Sequence, residues 1–221
     1  MENKKKLILN LSVFIFYFIY TLIPSLVLYI FHLRIYNVLY RSIYLIIMGL
    51  IYIIFITFIY KDELKKDIKE IRLKTVIKYI PTYMIGLLLM IGSNIIASKI
   101  TGNTLSQNEI NVRETIKIMP LYMCFSSVIF APFIEEITFR KTFRNIISNG
   151  YLFIIISGFI FGLIHISNVE NGFEEFIMIM PYILMGIDLS YIYYKSDNIF
   201  TTIIIHSMHN LILLLIQLIG G

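Results

Sequence analysis

The sequence predicts an all-α, polytopic integral membrane helical bundle with about seven transmembrane helices. Hydrophobic residues fill 58% of the 221 positions, charged residues fill 15%, and the mean hydropathy is +0.80. These values lie far outside the range of a soluble domain of this size. The apolar residues also gather in runs that are long enough to cross a bilayer.

Each predicted span rests on one such run, because crossing the hydrocarbon core takes about 20 apolar residues in a helix. The runs occupy, in chain order, 7–31, 41–60, 79–99, 117–134, 151–166, 175–194 and 199–218. An eighth helical element is the alternative. The first run follows three lysines as a signal peptide does, but it is too long and lacks a cleavage pattern, so it is interpreted as a retained anchor.

The basic residues flank the spans, which explains the net charge of +5 without nucleic acid as a partner. The segment 61–78 carries seven basic residues against four acidic ones, and Lys4 to Lys6 precede the first span. Both segments are therefore expected on the cytoplasmic side of the cell membrane, with the amino terminus inside. Alternation then places 101–114 and 168–175 outside.

The chain divides by chemistry into two parts. Residues 1–115 carry few polar groups inside their spans and are predicted to be scaffold helices. Residues 116–221 hold the unusual intramembrane polar groups and are predicted to be the catalytic helical core. These groups lie in three strings, EEITFR at 135–140, FGLIH at 161–165 and HSMHN at 206–210. Ionisable side chains at membrane depth are costly and usually functional.

The first string offers an ion pair and a spare carboxyl group. Glu136 and Arg140 are four residues apart and share a helix face, while Glu135 projects about 100° away. Glu135 is then free to act as a general base or acid. The alternative is that both glutamates only cap a span at the cytoplasmic interface. Pro132 is expected to kink the helix just before them.

A depth argument favours the functional interpretation. The turn after this helix is expected at Ser148 to Gly150. Glu135 precedes that turn, and His165 follows it, by nearly equal numbers of residues, so both should lie roughly 20 Å from it. His206 is expected at only roughly 12 Å from its own loop, a mismatch that span tilt would have to absorb.

The third string places an imidazole and an amide on one face, because His206 and Asn210 are four residues apart. The pair could ligate a metal or donate hydrogen bonds to a developing oxyanion. For any single histidine in a bundle, an interhelical hydrogen bond is the alternative. The neighbouring His209 is expected on another face.

Two further features lie close to these strings. Asp188 is an intramembrane acid that serves either as an indirect partner of a histidine or as an unrelated helix contact. Gly158 and Gly162 form a small-xxx-small pattern, which favours close approach of a neighbouring helix.

The three strings resemble the motifs EExxxR, FxxxH and HxxxN of the CAAX prenyl protease and bacteriocin-processing (Abi) family of intramembrane proteases. The matching residues are Glu135, Glu136 and Arg140, then Phe161 and His165, then His206 and Asn210. The resemblance covers roughly residues 118–215. Lys141 is a departure, since a glycine commonly follows the motif arginine in that family.

The resemblance implies roles for these residues. Glu135 and His165 would activate a water, His206 and Asn210 would stabilise the oxyanion, and Glu136 and Arg140 would be structural. A divalent metal such as zinc, held by Glu135, His165 and His206, is one option, and catalysis without a metal is the other. The HExxH helix of soluble zinc proteases is absent from the sequence.

The predicted function is an intramembrane endopeptidase that acts on membrane-associated protein or peptide substrates. CAAX-type proteins, pheromone precursors and bacteriocin leaders are the substrate classes that the resemblance implies. Two alternatives stay open. One is a catalytically silent scaffold or regulator of the same fold. The other is a proton-coupled transporter in which the intramembrane acids and histidines form a relay.

Overall fold

The computed structural model describes residues 2–167 and 172–220, and within these ranges the chain is helical with no β-strand. The helices are α1 (Glu2–Ile30), α2 (Val38–Ile59), α3 (Lys61–Glu70), α4 (Leu73–Thr101), α5 (Gln107–Ile118), α6 (Pro120–Ile146), α7 (Gly150–Leu163), α8 (Gly172–Met178), α9 (Met180–Ser196) and α10 (Ile199–Gly220). The predicted all-α fold class is confirmed. The predicted external loop at 168–175 begins outside the described residues.

The predicted spans correspond to helices, but not all of them are long enough to cross a bilayer alone. Within the described ranges, α1, α2, α4, α6 and α10 are long and apolar enough to do so. Helices α8 and α9 make a sixth span if they are taken together, with a bend of 42° between them. The run at 151–166 is the 14-residue helix α7, which is about 21 Å long.

Helix α6 continues well past the end predicted at residue 134. The charged residues after this point lower the local hydropathy, and the apolar run therefore stops there. In the structure these charges pair inside the protein: Arg140 Nε lies 3.2 Å from Glu136 Oε2, and Lys141 Nζ lies 3.0 Å from Asp67 Oδ2. With its charges paired, α6 remains one helix of 27 residues.

Aromatic side chains of α1 pack against the second half of α6. The rings of Phe14 and Phe143 meet edge to face at 5.1 Å between centroids, and those of Tyr17 and Phe139 do so at 5.3 Å. Such pairs add to the apolar burial between two helices. The front helices thus brace the helix that carries the two glutamates. The division at residue 115 stays a prediction.

Hydrogen bonds join several helices at one end of the bundle. Tyr60 Oη donates to Asn10 Oδ1 at 2.8 Å, and Asn145 Nδ2 donates to the same oxygen at 3.2 Å. Asn198 Nδ2 donates to the main-chain oxygen of Asp67 at 2.6 Å. These contacts tie α1, α3, α6 and the start of α10 to one another at the end predicted to be cytoplasmic.

Close packing of α7 against α9 depends on glycines, as the small-xxx-small pattern indicated. A Cβ at Gly158 would lie 2.5 Å from the main-chain nitrogen of Ile187. A Cβ at Gly186 would lie 2.8 Å from the oxygen of Gly158. The two helices run antiparallel, so the end of α7 lies beside the beginning of α9.

Candidate active site

The three polar strings meet at one cavity of about 470 Å³. Glu135 from α6, His165 from the turn after α7, and His206 and Asn210 from α10 all line it. The structure therefore brings together the four residues that the sequence analysis selected as candidate catalytic groups. The depth mismatch expected for His206 does not keep it apart from the others.

Helix α6 is interrupted where it passes the cavity. Two π-helical turns, Ser126–Phe130 and Glu136–Lys141, flank the α-helical turn that contains Pro132 and Glu135. π-Bulges inside α-helices occur frequently at functional sites. The irregularity predicted from the proline is thus a pair of wide turns on either side of Glu135.

Pro132 also leaves a carbonyl group of α6 without a helical donor. The N–H of Ala131 bonds to the oxygen of Ser126, and residue 132 has no N–H to offer to the oxygen of Ser127. Asn210 Nδ2 donates to this oxygen at 2.8 Å. An amide nitrogen carries two N–H groups, so the second one remains for a ligand in the cavity.

Glu136 lies behind the cavity wall as the centre of a buried charge cluster. Its side chain and that of Arg140 have no exposed surface. One carboxylate oxygen faces Arg140 Nε at 3.2 Å, and the other accepts a hydrogen bond from His206 Nδ1 at 2.8 Å. A buried carboxylate of this kind is strongly unfavourable unless it keeps both partners.

The contact with Glu136 determines which nitrogen of His206 faces the cavity. An ionised carboxylate only accepts hydrogen bonds, so Nδ1 of His206 carries the proton. The other nitrogen, Nε2, is then unprotonated in the neutral ring and can donate only in the imidazolium form. Carboxylates that accept a hydrogen bond from a histidine orient its ring in this way in many enzyme sites.

His165 is held in the same tautomer by a different partner. Its Nδ1 donates to the main-chain oxygen of Phe161 at 2.8 Å, since a carbonyl oxygen can only accept. The ring of Phe161 in turn lies 4.2 Å from the guanidinium carbon of Arg140. The two residues of the FxxxH string are therefore linked to each other and to the buried ion pair.

Glu135 differs from Glu136 in its surroundings. Its side chain is half-buried and lines the cavity, and it forms no ion pair with any residue in the described ranges. The two adjacent glutamates thus point in different directions, as their helical offset predicts.

His209 also lines the cavity, and the expectation that it faces elsewhere was wrong. Its Nδ1 lies 3.0 Å from the hydroxyl oxygen of Tyr83 on α4. Residues three apart on a helix are neighbours, so the spacing of His206 and His209 was the signal for this.

Asp188 lies outside the cavity, on the side of α9 that faces α4. A Cβ at Gly86 would lie 2.5 Å from the Asp188 Cγ, so the glycine makes room for this carboxyl group. Its Oδ2 has no hydrogen-bond partner among the described residues. Asp188 is therefore a helix contact in this geometry, and any indirect role at the site stays a prediction.

The remaining wall of the cavity is mainly apolar and comes partly from the amphipathic helix α5. Val112 and Ile116 of α5 face the cavity, and Glu109 and Arg113 of the same helix pair at 2.8 Å. Further apolar lining residues come from α4, α6, α9 and α10: Met90, Ile91, Met123, Met185, Leu213 and Leu214.

Glu135, His165 and His206 are the metal ligands that the resemblance offers as one option. Within residues 2–167 and 172–220, no three His, Cys, Asp or Glu side chains form a group that could hold a metal ion. The side chains of Glu135, His165 and His206 therefore do not fit a metal in this arrangement.

Comparison with known proteins identifies the class that this fold and site define. The chain is a multi-pass membrane protein whose polar groups meet in a buried cavity. Residues 117–212 match the model of the family described as Type II CAAX prenyl endopeptidase Rce1-like. The matched segment contains every residue of the three motifs, which confirms the resemblance seen in the sequence.

Three curated relatives match parts of the chain. "Putative membrane peptidase YdiL" of Bacillus subtilis (strain 168) is 28% identical over 116 residues, 51% of this chain and 44% of the relative. UPF0177 protein YxdF of Lactococcus lactis subsp. lactis (strain IL1403) is 30% identical over 83 residues, 38% of this chain and 43% of the relative. UPF0177 protein YbdI of the same strain is 26% identical over 118 residues, 53% of this chain and 61% of the relative.

The matched part of the chain spans less than two thirds of the length of each of these relatives. No solved structure matches the chain.

Proposed function

We propose that this chain is an intramembrane endopeptidase that hydrolyses a peptide bond in a membrane-associated protein or peptide. The observation that carries the proposal is the cavity lined by Glu135, His165, His206 and Asn210. These residues come from three separate strings and supply a base, two imidazoles and an amide. The family match over residues 117–212 supports the same reaction class.

In this proposal Glu135 and His165 hold and activate a water molecule. Nδ1 of His165 is occupied by the oxygen of Phe161, so Nε2 is the nitrogen that can accept a hydrogen bond from water. Glu135 forms no ion pair with a residue in the described ranges and can take the water proton as a general base. The apolar walls exclude other water, which strengthens these electrostatic interactions.

Asn210 and His206 stabilise the negative charge that develops on the carbonyl oxygen. Within the described residues Asn210 has one N–H group without a partner, which can take this role, because its other N–H bonds to Ser127. His206 can donate from Nε2 only as an imidazolium ion, and its Nδ1 is held by Glu136 at 2.8 Å. Such preorganised donors make large contributions to acyl transfer.

The reaction then follows the usual balance of amide hydrolysis. The water oxygen forms a bond to the carbonyl carbon while Glu135 accepts one water proton. When the tetrahedral intermediate collapses, the carbon–nitrogen bond breaks and the leaving amine takes the proton from Glu135. Glu136 and Arg140 hold the helix and His206 in place and take no direct part.

The substrates proposed for this site are membrane-associated. CAAX-type proteins and leader or pheromone peptides are the candidate classes. The cell membrane as location, and a cytoplasmic amino terminus, belong to the same proposal and are supported by the lysine-rich segments near the ends of α1 and α2.

The experiment compares the purified chain in detergent with its Glu135→Gln variant. Cleavage of prenylated and leader-type peptides is followed by mass spectrometry, with and without a chelator. Glu114→Gln is the matched control, because Glu114 is exposed on α5 and does not line the cavity. We expect the parent and the control to cleave and Glu135→Gln to be inactive, with equal thermal stability.

Cleavage by Glu135→Gln at the parental rate would exclude Glu135 as the base. If well-folded parent protein cleaves no peptide of either class, endopeptidase activity on these substrates is refuted, and the scaffold becomes the better hypothesis. If the parent chain cleaves without the chelator but not with it, the metal-free scheme is refuted.

A further inference from the structure

We propose that Tyr182 is the positioning residue for His165, and that Asn108 on α5 holds Tyr182 in place. The inference rests on the proposed function, since it assigns His165 a catalytic task. The ring of Tyr182 stacks on the imidazole of His165, with 4.3 Å between centroids and 19° between planes. Its hydroxyl oxygen accepts a hydrogen bond from Asn108 Nδ2 at 3.2 Å.

His165 needs such a partner more than the other candidate residues do. Glu135, His206 and Asn210 are all parts of helices, which restrict their side-chain directions. His165 lies two residues beyond the end of α7, where its own N–H bonds to the oxygen of Gly162 in a short turn. Its ring direction therefore depends on what the side chain contacts.

The hydrogen bond to Phe161 alone would leave the imidazole of His165 free to tilt, and the stack on Tyr182 removes this freedom. The bond from Nδ1 to the Phe161 oxygen fixes one edge of the imidazole but allows the ring to tilt about that bond. The face of the Tyr182 ring limits this tilt, so Nε2 keeps one direction in the cavity. Rigid side chains that contact a catalytic histidine commonly set the direction of its ring.

The tyrosine is itself placed by two features of the fold. It follows Pro181 in the first turn of α9, next to the end of α7. Glycine packing of α7 on α9 brings these two helix ends together, because Gly158 admits the Ile187 backbone. The bond from Asn108 then fixes the outer end of the ring to α5, which forms a wall of the same cavity.

The arrangement predicts different effects for ring loss and hydroxyl loss. Tyr182→Leu removes the stack, and we expect kcat to fall by about 10- to 100-fold with little change in KM. Tyr182→Phe keeps the ring, so kcat should fall by less than about tenfold. Asn108→Ala should lower kcat by about as much as Tyr182→Phe does. Combining the two changes should have no further effect, because each removes the same hydrogen bond.

The test uses the full chain in detergent, with histidine labelled by nitrogen-15 in the side chain. NMR spectra report the tautomer and ring environment of His165, whose signal is assigned by its absence in His165→Gln. We expect Tyr182→Leu to shift and broaden the ring signals of His165, because the ring can then tilt about its bond to Phe161, and Tyr182→Phe to retain the parental spectrum. Tyr191→Leu is the control, because Tyr191 is an exposed residue of the same helix that does not line the cavity.

Cleavage kinetics of the same variants form the second measurement, on any peptide that the parent cleaves. An unchanged His165 spectrum in Tyr182→Leu overturns the proposal, even if activity falls, because Tyr182 would then act by another route. If the parent cleaves nothing, the proposed function fails, while the spectra still decide whether Tyr182 orients His165. Equal effects of Tyr182→Leu and Tyr191→Leu on the spectrum would also overturn it.

Discussion

The Asn210 side-chain nitrogen lies 2.8 Å from the main-chain oxygen of Ser127, a carbonyl group that α6 itself cannot satisfy. The missing donor is Pro132, five residues later, because proline has no N–H. A defect in one helix thus becomes the anchor for the motif asparagine of another. The widened turn, Ser126–Phe130, also ends one α-helical turn before Glu135, so one proline lies close to two candidate catalytic groups.

Pro132→Ala tests this relationship. Alanine restores an N–H that can bond within α6, and it favours a regular helix by up to about 3 kcal/mol. We expect unchanged or higher thermal stability together with a loss of cleavage of about tenfold or more, since an oxyanion donor loses its anchor. Pro120→Ala, at the first residue of α6, is the control and should leave activity unchanged. Parental activity in Pro132→Ala would argue against the anchor.

The two adjacent glutamates should differ in their effects on stability. Glu136→Ala removes the partner of both Arg140 and His206 and leaves a buried guanidinium unpaired, which costs about 3–5 kcal/mol. Glu135→Ala removes a cavity-lining group that has no ion pair in the described ranges. It should lower the free energy of unfolding by much less. Unfolding of both variants in detergent measures the difference. Equal losses of stability would contradict this division of roles.

His209 and Tyr83 should be coupled energetically. Their hydrogen bond of 3.0 Å joins α10 to α4, and a neutral bond of this kind contributes about 0.5–1.5 kcal/mol. We expect Tyr83→Phe and His209→Gln each to lower unfolding stability by about 1 kcal/mol, and the double variant to lose less than their sum. Tyr79→Phe, at a buried tyrosine one turn earlier on α4, serves as control. Strict additivity would show that the bond contributes nothing.

Glycine packing between α7 and α9 gives a prediction with a built-in comparison. At Gly158 a Cβ would lie 2.5 Å from the Ile187 backbone nitrogen, so Gly158→Ala should separate the helices and cost about 1–3 kcal/mol. At Gly92 on α4 a Cβ meets nothing within 4 Å, so Gly92→Ala should be neutral or stabilising by up to about 1 kcal/mol. Thermal unfolding of the two variants checks this, and similar shifts would contradict the close contact.

Local sequence determined the features that depend on composition and on helical spacing. The apolar runs predicted an all-helical membrane protein because lipid leaves few ways to satisfy the backbone. The four-residue spacing predicted that Glu136 meets Arg140, and the structure contains this contact at 3.2 Å. The three motifs were sufficient to see the resemblance that the family model also finds over residues 117–212, because each motif keeps its residues on one helix or helix end.

Only the tertiary structure decided the contacts between helices. The capture of the Ser127 oxygen by Asn210 joins residues 83 positions apart, and the stack of Tyr182 on His165 depends on how α9 lies along α7. The prediction for His209 was wrong because the helical angle of a residue does not by itself show which neighbouring helix or cavity its side chain meets. Spacing along one helix is a local property, whereas the partner across a helix interface depends on packing that hydropathy does not encode.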